Sequence, residues 1–281
     1  MEACVLLHWI GHWGSSFTMP LSRIAIPVNQ PFPWQQTLAY LHWRCTPGLE
    51  AIKDDRYTRR TAAGLVSVQY VSAQGCLLCE PHAASRVSVL FDTGCNIAAV
   101  HRALAACPIL GPRMHQVPGL RIPGCWDPFE LCLRVILGQQ VSVKAAATFM
   151  RRLAEVSPNF VPEEIAQADL SSIGIPERRF QTLRSIAQAA ADKSLNLQSW
   201  KDAAVTLRKI SGIGPWTIDY LAIRLGRDPD AFPESDLGLL RASGLTDPRA
   251  LLRRAEQWRP YRAYAAMYLW TVQPPPDAVM L

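Results

Sequence analysis

The residues best placed to do chemistry lie between Leu207 and Gly238, in the stretch LRKISGIGPWTIDYLAIRLGRDPDAFPESDLG. An amphipathic helix is expected to end at Ile210, a tight turn to follow at Ser211-Gly212-Ile213-Gly214, and a second helix to open at Pro215, where the missing N–H is no loss. Glycine at 212 and 214 permits positive φ and close approach of another backbone. The new helix offers unpaired N–H groups at its positive end, and such a turn can hold a phosphate without reading a base. Gly212, Ile213, Gly214 and Thr217 are the candidate contacts, and packing alone is the competing explanation for the glycines. Trp216 and Tyr220 stand four apart and share a helix face, so their ring faces could attract a cation. After a Pro-containing loop comes Asp236, a carboxylate that could either work on a substrate or cap the helix starting at Leu237.

These side chains need a scaffold. After a Pro-rich entry, Trp34 to Cys45 has helical spacing, and Arg60 to Val71, Gly75 to Cys79 and Arg86 to Phe91 read as strands, antiparallel because the connections are short. From Asn96 onward strand signals nearly vanish and helical segments are expected, the first at about 96–106 and the next at 127–138. Asp127-Pro128, Ile175-Pro176 and Gly214-Pro215 mark three helix starts. The fold class is therefore α+β, an N-terminal antiparallel-sheet domain followed by a helical helix-hairpin-helix body. The expected divisions are a leader at 1–22, disordered or an upstream reading of the start site, an α+β domain at 23–107, a helical domain at 108–230 with the hairpin at 207–226, and a C-terminal helical segment at 231–281 that carries Asp236.

Bulk properties restrict the function class less sharply. The chain of 281 residues has a net charge of +6 and 19% charged residues, which fits a globular protein with an anionic partner but does not identify one. No apolar run reaches the ~20 residues of a membrane span. Cys76 and Cys79 form a CxxC, yet no second ligand pair sits at zinc spacing, so a buried strand is the expected explanation and no metal is assigned.

The hairpin followed by a Pro-containing loop ending in Asp236 resembles the helix-hairpin-helix DNA glycosylase superfamily, and within it the AlkA-type 3-methyladenine DNA glycosylase II family. The likeness runs from about residue 24 to 273 and includes GLRIPGCWDPFELCLRVILGQQVSVKAAA (Gly119–Ala147), Ala168 to Ala191 and AEQWRPYRAYAAMYLW (Ala255–Trp270). The resemblance implies that Asp236 is the catalytic aspartate, stabilising positive charge at the sugar C1′ and orienting water. It implies a base pocket of Trp216, Tyr220, Trp270 and Tyr40, and a wedge at Gln140 that fills the gap left by the extruded base. Gln139 and Gln140 could instead only bond backbone near the helix start at 142.

Family members that also cut the backbone carry a lysine where Trp216 stands, so a monofunctional hydrolase is expected. No cysteine follows Cys132, so no iron–sulfur cluster is expected; no cofactor is required, and a monovalent cation could bind at the hairpin carbonyls. The implied partner is double-stranded DNA with alkylated bases, met by a cytoplasmic, nucleoid-associated monomer. Arg224, Arg227, Arg241, Arg253 and Arg254 could contact phosphates. Two alternatives stay open: a noncatalytic helix-hairpin-helix DNA-binding protein, and a glycosylase for oxidised or deaminated bases. Leu237, beside Asp236, is a departure from the family's best-known member, which has a tyrosine there.

Overall fold

The computed structural model describes residues 23–271 and 279–280. The expectation for the leader at 1–22 falls wholly outside them. The N-terminal part is a five-stranded antiparallel sheet in the order β1 (Ile24–Pro27), β5 (Cys76–Cys79), β4 (Gly64–Val71), β3 (Arg56–Thr61) and β2 (Glu50–Lys53). Helix α1 (Trp34–His42) buries Trp34, Thr37, Leu38 and Leu41, the i, i+3, i+4, i+7 stripe of an amphipathic helix.

Two readings need correction here. Arg60 to Val71 is not one strand, because the chain turns at Ala62-Ala63 and pairs Thr61 with Gly64, giving the β3–β4 hairpin. Arg86 to Phe91 is helical, part of α2 (Ala84–Leu90). Its β-branched valines favour strands locally, but Val87 and Leu90, three apart, both bury on the sheet core beside Phe91, and this tertiary gain overrides the local preference. Helix α4 (Gly111–Gln116) and the short strands β1 and β2 carried too little apolar periodicity to be noticed. Cys76 and Cys79 lie on β5 as expected of a buried strand, and being three apart they project to opposite faces. No group of three or more His, Cys, Asp or Glu comes together around a metal-sized site among the described residues.

Behind the sheet the chain is helical: α3 (Ile97–Leu104), α5 (Pro128–Leu137), α6 (Val143–Val156), α7 (Pro162–Gln167), α8 (Glu177–Ala191), α9 (Trp200–Leu207), α10 (Pro215–Arg224), α11 (Leu237–Ser243), α12 (Pro248–Ala255) and α13 (Arg262–Thr271). Two short strands, β6 (Val141–Ser142) and β7 (Val279–Met280), pair antiparallel. Asp127 caps α5, accepting from Glu130 N at 2.9 Å, with Pro128 at the first helical position.

Apolar side chains sort into three clusters. One fills the sheet and its helices α1 and α2. A second gathers residues 129–221 around α5, whose Leu133 and Leu137 are wholly buried. The third joins α3 and α4 to α11, α12 and α13 around Trp258 and Tyr268. Helix α10 lies where the last two meet, with Ile218 and Leu221 in one and Ala222 and Ile223 in the other. Sheet and helical body are tied by a buried fork: Arg59 donates to both carboxylate oxygens of Glu130, at 2.9 and 2.5 Å, and Thr46 Oγ1 donates to Glu130 at 2.8 Å. Arg59 also pairs with Glu50 at 3.1 Å, so removing Arg59, which would leave both carboxylates buried without a counter-charge, should cost about 3–5 kcal/mol.

Candidate active site

The hairpin forms where the glycines were read. Helix α9 ends at Leu207, Ile213 N donates to Ile210 O at 3.2 Å, and α10 starts at Pro215. The two glycines answer to different needs. Gly212 has φ +91, and a Cβ there would come within 2.1 Å of the Thr182 hydroxyl, which donates to Ser211 O at 2.8 Å and seats the turn on α8. Gly214 has nothing within 4 Å of where a Cβ would be, so its side of the turn faces open space. Packing alone accounts for Gly212 and not for Gly214. Ile213 is buried in the core under the turn, and Thr217, also buried, accepts from Gln139 Nε2 at 3.2 Å.

Asp236 makes more contacts than a helix cap requires. It is the N-cap of α11, with Oδ1 accepting from Leu239 N at 2.8 Å. The same oxygen accepts from Trp270 Nε1 at 2.9 Å, and Oδ2 accepts from Trp216 Nε1 at 2.9 Å. A cap needs one of these donors; the two indoles, from α10 and α13, fix the plane of the carboxylate as well. Asp236 is 5% exposed, and Oδ2 holds one donor among the described residues, so one of its lone pairs stays open to a further donor. The loop that delivers it is pinned at several points: Asp236 N donates to Pro233 O at 2.9 Å, Phe232 is buried against Trp258, and Asp230 pairs with Arg259 and Arg262. Gly238 keeps room beside the carboxylate, since a Cβ there would lie 2.9 Å from Asp236 Oδ1.

The aromatic residues come together. Trp216 and Tyr220 stack with centroids 5.3 Å apart and planes 17° from parallel, and Tyr220 meets Trp270 at 5.8 Å. Tyr220 is buried while the two tryptophans are half-buried, so a planar guest would meet the outer indole faces rather than the phenol. Tyr40 joins the group through a residue that sequence reasoning misplaced. Arg224 is not a surface phosphate contact: it is 3% exposed, and its Nη1 donates to Tyr40 Oη at 2.8 Å and Tyr220 Oη at 3.0 Å while its other nitrogens serve the carbonyls of Pro123 and Gly124. Arg227 is likewise committed, to Asp92 and to Ile122 O at 2.7 Å. Arg224 stands four after Tyr220 on an otherwise apolar stretch of α10, which was the available signal.

Electrostatics follow from these contacts. Burial alone would raise the Tyr220 phenol, but Arg224 and Arg44 outweigh it and bring it down to about 8, while burial pushes Tyr40 up to about 12. On the back of α10, burial and the nearby Glu234 carboxylate push Asp219 up to about 6. Gln140, the expected wedge, is exposed with φ +55 at the end of the loop after α5.

Residues 23–127 match the AlkA N-terminal domain and residues 133–247 match the HhH-GPD superfamily of base excision DNA repair proteins. DNA-3-methyladenine glycosylase 2 of Escherichia coli is 34% identical over 85% of this chain and 94% of that protein. The chain belongs to the AlkA-type DNA-3-methyladenine glycosylase family. A probable bifunctional transcriptional activator/DNA repair enzyme AlkA of Mycobacterium tuberculosis is also 34% identical, over 88% of this chain but only 56% of its own length, so the chain spans little more than half of that relative. A 3-methyladenine DNA-glycosylase from Archaeoglobus fulgidus superposes with a TM-score of 0.71 at 20% identity, covering 89% of this chain and 97% of that one, a likeness of fold. A Schizosaccharomyces 3-methyladenine DNA glycosylase in complex with abasic DNA gives 0.56 at 27% identity, over 64% of this AlkA-type chain and 98% of that one.

Proposed function

We propose that this chain is a monofunctional DNA glycosylase that extrudes an alkylated purine from double-stranded DNA and hydrolyses its bond to the sugar, leaving an abasic site. One observation carries the reading: a single carboxylate, held in plane by two indole N–H groups and a helix N–H, stands beside an aromatic cluster and one helix away from an open glycine turn. The turn at Gly212, Ile213 and Gly214, with the N–H groups of α10, grips a phosphate. Gln140 enters the vacated stack. Trp216, Tyr220 and Trp270, with Tyr40 behind them, form the wall against which the base lies. Alkylation at N3 or N7 makes that base a cation, which ring faces favour and which leaves the sugar without much help from an acid. As the glycosidic bond lengthens, C1′ becomes positive, and the fixed Asp236 carboxylate stabilises that charge while its open lone pair orients the attacking water.

With Trp216 where a Schiff-base lysine would stand, no covalent sugar intermediate is formed. A cation at the hairpin fits only if monovalent: the turn offers neutral carbonyls, and those of Ile210, Ser211 and Gly212 each already accept a hydrogen bond. The carbonyls of the turn would hold it, and its charge would add to the attraction for a phosphate without a part in bond cleavage. The enzyme acts as a monomer on the nucleoid.

Release of free bases from alkylated, oxidised and deaminated duplexes tests the proposal, together with Asp236→Asn. Methylated purines should be released by the wild type, and the variant should lose about 10²–10³-fold in rate while still binding the duplex. Undiminished release by Asp236→Asn would refute the mechanism.

A further inference from the structure

We propose that Gln139 is a positioning residue that sets the distance between the wedge and the strand-gripping turn; the inference rests on the glycosylase reading above. Its side-chain amide has two N–H bonds, and both are used: Nε2 donates to Gly212 O at 3.1 Å and to Thr217 Oγ1 at 3.2 Å. Its backbone carbonyl accepts from Arg179 Nη2 at 2.6 Å. One residue thus joins the end of α5, the glycine turn, the first turn of α10 and helix α8. Gly212 is itself locked on α8 by Thr182, so the amide is fastened to a part that does not yield.

The next residue is Gln140, exposed and at φ +55, a conformation that an L side chain holds only when its neighbours constrain it. Beyond it the chain is anchored again within two residues, where Ser142 caps α6 by accepting from Ala145 N at 3.1 Å. Gln140 is therefore the free crest of a loop fastened on both sides. A side chain that fills a gap in the base stack must arrive at a fixed offset from the phosphate held by the turn, and the Gln139 amide is the direct link between those two points. Binding of undamaged duplex needs the turn and not the offset; extrusion needs both.

The test uses the whole protein and a duplex with one 7-methylguanine and 2-aminopurine as its neighbour. Gln139→Met keeps length and volume and deletes both N–H donors. It should lower the fluorescence rise on extrusion and the single-turnover excision rate together, by about tenfold. Affinity for unmodified duplex should stay within about twofold, and the melting temperature should hold, which a purely structural role would not give. Excision and fluorescence within about twofold of wild type would overturn the proposal, as would a loss of duplex affinity equal to the loss of rate. Should Gln139→Met melt early, Gln139→Asn keeps both donors but withdraws them by one methylene from Gly212 O and Thr217 Oγ1, and it should show the same pattern at about threefold. If the wild type releases no base from any alkylated duplex, the glycosylase reading fails, while the fluorescence change still reports on Gln139.

Discussion

Gly238→Ala separates a carboxylate that works from one that only caps a helix. Glycine 238 sits in the first turn of α11, and its φ is not in the left-handed region, so alanine is conformationally welcome there. Helix propensity alone should stabilise the protein by up to about 1 kcal/mol. The added Cβ, however, falls 2.9 Å from Asp236 Oδ1 and 3.4 Å from Trp270 Cδ1, a few tenths of an ångström too close to the oxygen. A carboxylate on a free side chain would swing away at little cost. This one is held by Leu239 N, Trp270 Nε1 and Trp216 Nε1, so to retreat it must stretch at least one hydrogen bond to a charged acceptor, worth about 1.5 kcal/mol.

The two contributions to stability nearly cancel, and thermal melts should move by no more than about 3 °C. The rate has no such compensation. A displacement of a few tenths of an ångström of the Asp236 carboxylate should slow single-turnover release of methylated bases about tenfold, or about 1.4 kcal/mol in the barrier. Wild-type rates in a protein that melts at or above the wild-type temperature would show that Asp236 is a cap and no more. A drop in melting temperature large enough to account for the lost activity would also defeat the argument.

Arg224→Met should cost about 4 kcal/mol or more in denaturant melts, because the carbonyls of Pro123 and Gly124 and two phenols lose their buried donor; an arginine serving a phosphate would instead leave stability intact and reduce the salt dependence of DNA binding. Ultraviolet titration should find one phenol ionising near pH 8, lost in Tyr220→Phe. Since that group's folded value lies below the ordinary one of about 10, its contribution to stability should grow from pH 8 to 10 and vanish as pH falls through 8, whereas Tyr40, raised to about 12, should take stability away only above pH 10. Asp219→Asn should stabilise the protein at pH 7 by about 1 kcal/mol, after allowance for the half-exposed site. The advantage should shrink as pH falls from 6 to 4 and the wild-type acid takes up its proton in the fold first.

Much of the site was visible in the chain because its chemistry is written in short-range rules. A glycine pair before a proline at a helix start, aromatics four apart and an aspartate before a helix each report a local backbone requirement, and those requirements held at Gly212, Pro215, Trp216, Tyr220 and Asp236. Helix starts at Pro128 and Pro215 were legible for the same reason. Strand-like Arg86 to Phe91 became helix because burial of Val87 and Leu90, a long-range gain, outweighs what the valines prefer. Which arginine is buried under the phenols, which glycine must be small because Thr182 lies over it, and which glutamine amide ties the exposed loop to the turn all depend on partners distant in sequence. Local propensity can place a donor on a helix or a loop, but only the packed chain brings its acceptor within 3 Å, and that is why Arg224, Gln139 and Gly238 acquired their meaning from the tertiary structure alone.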